Sequence, residues 1–170
     1  LDCLEKGHLY SMDPSPWYPD PVTHPRHTFI KKRSYESILS IALTSAPWDM
    51  FLHDGSHNVF SQMMEYNFAW GCLRKGGWLV TDDYSINGQS AWKDWTESIG
   101  FGEDKWVTLH PLQKIQKQDE PTKDIVGLFK ASADKATKLR LTNQARYTPQ
   151  AAATAAKKSS TERKPWQIAG

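Results

Sequence analysis

Phe51-Leu52-His53-Asp54-Gly55-Ser56-His57 is followed, one helical stretch later, by Gly76-Gly77-Trp78-Leu79-Val80-Thr81-Asp82-Asp83-Tyr84. Each segment reads as a short buried strand running straight into carboxylates. Between them Phe60, Met63, Met64, Asn67, Phe68 and Gly71 recur at intervals of three and four, the spacing of a helix that buries one face. The unit is therefore a strand-helix-strand crossover with acids at both carboxyl ends. In an open α/β sheet ligands bind beyond the carboxyl ends of the strands, and parallel neighbours lie about 4.8 Å apart. Asp54 and the Asp82-Asp83 pair are expected to converge on one cation or one polar substrate.

Working outward, Leu1 to Lys6 resembles the end of a helix, and His8 to Asp13 a strand that closes on an acid. Pro14, Pro16, Pro19, Pro21 and Pro25 keep the next stretch irregular. His27 to Lys32 reads as a second strand, after which Ser34 suits an N-cap and Ile38, Leu39, Ala42 and Leu43 form an apolar helical stripe. Trp48 to His53 is a third strand, Asn58 caps the long helix, and a further helix from about Gln89 ends at Gly100. Trp106 to Leu112 and Asp124 to Phe129 are read as an antiparallel hairpin across the polar loop from Gln113 to Lys123.

The chain has 170 residues, enough for one domain with its own core, and a net charge of +2. That charge is unevenly spread. Residues 133–170 hold eight Lys or Arg against Asp134 and Glu162, net +6, which leaves −4 on residues 1–132. The expected organisation is thus a domain over 1–132 and a basic, disordered tail over 133–170. The tail has neither a stacking series of aromatics nor an amphipathic apolar face, so neither nucleic acid nor a membrane is expected as a partner. Cys3 and Cys72 are too few for a disulfide framework, which with the lack of a long apolar run makes the cytoplasm the default location.

The alternation of strands and helices, the acid in Tyr10-Ser11-Met12-Asp13-Pro14-Ser15-Pro16, the spacing Asp49 to Asp54, and Leu73-Arg74-Lys75-Gly76-Gly77 leading into Asp82-Asp83 resemble the class I S-adenosylmethionine-dependent methyltransferases. Within that class the likeness is to small-molecule O-methyltransferases of the catechol O-methyltransferase and cephalosporin-hydroxylase-like type. It covers about residues 5–130. It implies a Rossmann-like α/β sheet, mostly parallel with a carboxy-terminal antiparallel hairpin, and methyl transfer to an oxygen of a small molecule.

The resemblance also distributes roles. Asp13 would accept hydrogen bonds from the cofactor's ribose hydroxyls, although an Asp in an Asp-Pro-Ser-Pro turn can equally cap that turn. Ser34 would border the adenine, and one hydroxyl there can both cap a helix and meet a ligand. Asp54, Asp82 and Asp83 would hold a Mg2+ ion; the alternative is a metal-free pocket whose acids share protons or pair with Lys or Arg. His57, three residues after Asp54, stands where the catechol-type enzymes carry a lysine base, and imidazole suits the same proton transfer. A structural role at the start of the helix is its other reading, while His53 is expected in the core. Trp17, Tyr84 and Asn87 can border a substrate or simply pack their loops.

The family's first strand and its glycine-rich loop have no counterpart in the sequence, so an amino-terminal truncation is expected. Two other functions fit the same residues: a non-catalytic interaction module, and a metal-assisted hydrolase built on the three Asp side chains.

Overall fold

The computed structural model describes residues 6–15, 23–82, 89–109 and 112–146. Two short strands, β1 (Leu9–Met12) and β2 (His27–Ile30), pair in parallel, in register from Leu9 opposite His27 to Met12 opposite Ile30. Helix α1 (Ser34–Ser45) follows, then β3 (Trp48–His53), α2 (Val59–Cys72) and β4 (Leu73–Thr81). Helix α3 (Gln89–Ser98), strands β5 (Val107–Leu109) and β6 (Leu112–Gln116), and the long α4 (Ile125–Arg146) complete the order.

The second sheet has the order β3-β4-β6-β5. β3 and β4 are parallel, as a crossover through α2 requires, whereas β4–β6 and β5–β6 are antiparallel. The fold is α/β, but its larger sheet is mixed rather than mostly parallel. Among the described residues β1–β2 stands as a separate two-stranded sheet.

Apolar periodicity accounts for the core. Met63, Met64 and Phe68 of α2 are buried, as their spacing indicates, and they divide between two clusters. The larger cluster is aromatic. Trp92 and Trp95 of α3 lie 5.8 Å apart between ring centroids, and each is 5.4 Å from Tyr66 of α2. Trp70 then meets Trp95 edge-on at 5.7 Å and Phe101 at 5.2 Å. Helix α3 stops where expected, at Gly100, whose φ of +77° only glycine adopts without strain.

Two expectations at the carboxyl end are overturned. The hairpin partner of β5 is Leu112–Gln116, not Asp124–Phe129. Alternation decides it, because Gln113 and Ile115 are buried while their neighbours are partly exposed. Asp124 instead begins a helix, its Oδ1 accepting from the Gly127 N–H at 2.8 Å. Ile125, Leu128 and Phe129 then lie at helical spacing against the smaller cluster.

Helix α4 also runs straight through the compositional boundary at 132/133. Asn67 Nδ2 donates to Ser132 Oγ at 3.0 Å, and Ala136 is buried in the main cluster, so the first part of the basic stretch is packed rather than disordered. Ala and Lys are strong helix formers, so the composition of this stretch suits a helix. Gly71 shows how close α4 comes to α2: a Cβ there would lie 2.2 Å from Leu128 Cδ2. Residues 147–170 and Leu1 to Glu5 lie outside the described residues.

Candidate active site at the carboxyl edge of β3 and β4

The crossover places two of the three acids side by side. His53 and Thr81 are register partners at the ends of β3 and β4, and the Asp82 N–H donates to His53 O at 2.9 Å. Asp54 and Asp82 are the next residues on each strand, Asp54 exposed and Asp82 half-buried. The strand ends at Thr81, so Asp82 is not bound to strict alternation of faces. Asp83, together with Trp17, Tyr84 and Asn87, lies outside the described residues. Among the described residues no three His, Cys, Asp or Glu side chains gather as a metal site.

His57 is half-buried in the loop between Asp54 and α2. The cap of α2 is Asn58, whose Oδ1 accepts from the N–H groups of Phe60 at 3.0 Å and Ser61 at 3.4 Å. His57 is therefore one residue ahead of the cap. Asp13 lies one residue beyond β1, half-buried, with Oδ1 accepting from the Ser15 N–H at 2.7 Å. The carboxylate closes its own turn, and it belongs to the two-stranded sheet rather than to the sheet of Asp54.

Ser34 departs from the expected capping role. Arg33 is the N-cap, its N–H bonded to Glu36 Oε2 at 2.9 Å, and Ser34 is the first residue of α1. The Ser34 hydroxyl donates instead to the Glu65 carboxyl of α2.

Glu65 is the residue that sequence reasoning passed over. It is 4% exposed, and burial pushes its carboxyl up to about 7, the Ser34 hydrogen bond partly offsetting the rise. Its Oε2 lies 3.5 Å from His53 Nε2. Burial, and then the nearby His57, push the His53 imidazole down to about 4, so at neutral pH the ring carries no charge and the contact is not an ion pair. Tyr66 follows, with its hydroxyl 2.7 Å from Thr81 Oγ1 and its ring 5.2 Å from that of His53. The signal in the sequence was a lone carboxylate inside the run Met63-Met64-Glu65-Tyr66, where its neighbours are core residues.

Beneath Asp54 and Asp82 there is thus a buried polar layer that ties α1, α2, β3 and β4 together. Such an edge can present hard oxygen donors above a rigid, low-dielectric base.

Residues 1–84 match a family model described as a methyltransferase domain. That span contains Asp13, Ser34, Asp54, His57, Asp82 and Asp83. Among solved structures the chain is similar to the MycE methyltransferase from the mycinamycin biosynthetic pathway in complex with Mg and SAH. The identity is 20% and the TM-score 0.51, over 74% of this chain and 43% of that one. The same enzyme in complex with Mg, SAH and mycinamycin VI gives 20% identity and a TM-score of 0.45, over 66% of this chain and 37% of that one. The chain therefore spans less than half the length of these structures. No curated protein matches it, and no helix among the described residues is long and apolar enough to cross a membrane. Over residues 1–84 the chain carries the sequence pattern of a methyltransferase domain, on an α/β fold shared with a solved methyltransferase.

Proposed function

We propose that the protein transfers a methyl group from S-adenosylmethionine to an oxygen of a small molecule. The observation that carries this reading is positional. The part of the chain with the methyltransferase pattern contains every candidate cofactor, metal and base residue, and the fold sets Asp54 and Asp82 on adjacent strand ends. S-adenosylmethionine, when bound, supplies an electrophilic methyl group on a sulfonium. Asp13 would hold its ribose hydroxyls with a carboxylate already oriented by Ser15, and Ser34 would border its adenine.

Asp54 and Asp82 offer the hard oxygen donors that suit Mg2+, with Asp83 as the third. A divalent cation in such a place lowers the pKa of a bound hydroxyl. His57, close enough to perturb the His53 ring, would take the acceptor's proton, since an imidazole nitrogen can act as a general base. We further propose that the protein works in the cytoplasm on its small molecule without nucleic acid or membrane.

In the full-length protein Asp54→Asn is expected to lower methyl transfer and weaken its dependence on Mg2+. Activity indifferent to chelator in both wild type and variant would remove the cation from the scheme. Failure of the wild type to bind S-adenosylhomocysteine in calorimetry would remove methyl transfer itself.

A further inference from the structure

The Ser34–Glu65 hydrogen bond fixes more than the packing of α1 on α2. A serine hydroxyl has one proton and two lone pairs. If the proton is committed, only acceptor capacity remains for any ligand. Here it is committed to a carboxyl that is itself buried, on a residue only 4% exposed, with its other oxygen 3.5 Å from His53 Nε2. Oε1 accepts from Ser34 whether the carboxyl is ionised or carries its proton on Oε2, the oxygen that faces His53. Ser34 is half-buried at the first turn of α1, and its oxygen keeps lone pairs that can accept from a ligand.

We infer that Glu65 is a positioning residue for base recognition: by taking the Ser34 proton it presents Ser34 Oγ as an acceptor, which selects an exocyclic amine over a carbonyl at the edge of a purine. This rests on the reading of Ser34 as the residue bordering adenine. Adenine carries an amine at that edge and hypoxanthine a carbonyl, so the discrimination is between adenosyl and inosyl forms of the cofactor. A hydroxyl released from Glu65 could rotate to accept from the amine or to donate to the carbonyl, and the selectivity would fall.

The test is calorimetric titration of the full-length protein with S-adenosylhomocysteine and with its deaminated analogue S-inosylhomocysteine. Wild type is expected to prefer the adenosyl compound by about tenfold or more, the worth of a mismatched buried polar contact. Glu65→Leu and Ser34→Ala should each bring the two affinities to within about threefold, and the double variant should add nothing further. Glu65→Gln, whose amide oxygen still accepts from Ser34, should keep most of the preference. Circular dichroism melts of all four variants establish that folded proteins are being compared. Should folded Glu65→Leu retain the wild-type preference, or Glu65→Gln lose it as fully as Glu65→Leu, the positioning role is refuted while the methyltransferase reading survives. A wild type that binds neither compound overturns both.

Discussion

Replacing Glu65 by Gln should change how stability depends on pH, by an amount the structure sets. Burial raises the carboxyl from its ordinary 4.5 to about 7 in the folded state. Between those values the folded protein holds a proton at Glu65 that the unfolded chain has released. The Glu65 contribution is therefore fully present below about pH 4.5 and is lost as pH rises through about 7. At about 1.4 kcal/mol per pH unit, the whole loss is about 3 kcal/mol, of which about 2 to 3 kcal/mol falls between pH 5 and 8. His53 works in the opposite sense. Its folded value of about 4 against 6.5 means that stability is lost as pH falls from 6.5 towards 4. In the wild type these two slopes largely cancel between about pH 4.5 and 6.5. In Glu65→Gln the carboxyl slope is gone and the imidazole slope stands alone. Urea unfolding of both proteins at a series of pH values isolates the effect, because every other titrating group is shared. The variant should gain about 2 to 3 kcal/mol on the wild type from pH 5 to 8. A difference that stays constant with pH, or that moves the other way, would show that Glu65 is not the buried acid described above.

His57→Ala should slow the chemical step by about 10² to 10⁴ while leaving cofactor affinity nearly unchanged, if His57 is the base. Single-turnover rates beside a thermal melt decide this, since Asn58 already caps α2 and the variant should stay folded. Gly71→Ala should cost about 1 to 3 kcal/mol through overpacking against Leu128. A chemical-denaturation midpoint equal to wild type would mean that α4 can shift away from α2 without loss.

The centre of the fold was legible because period and chemistry agreed there. In α2 the 3–4 spacing of Met63, Met64 and Phe68 marks core positions, although the helix is buried on nearly all sides from Gln62 to Cys72, and β3 and β4 end where the acids begin. Asp124–Phe129 misled because Ile125, Val126 and Phe129 favour strands locally. The Asp124 cap and the packing of Leu128 and Phe129 on Phe68 and its neighbours overrode that preference. The basic composition after residue 132 hid the packed part of α4 in the same way, since its Ala, Thr and Lys carry little periodicity although Ala136 is buried in the main cluster. Ser34 stands out by its place after β2, but its partner lies 31 positions away and cannot be read from spacing. Glu65 stands as a lone carboxylate in the run Met63-Met64-Glu65-Tyr66, a weak signal, because spacing alone does not separate a buried acid from a solvent-facing one.

The aromatic cluster gives the protein an optical property. Trp92 and Trp95 are close enough for their transitions to couple, and Tyr66, in ring contact with both, is also in ring contact with His53. Part of the near-ultraviolet dichroism and fluorescence of this chain therefore comes from two buried indoles that sit one ring away from the polar layer beneath Asp54. A ligand or a proton that disturbs that layer should be visible without a label, as a change in signal from chromophores that solvent quenchers reach poorly.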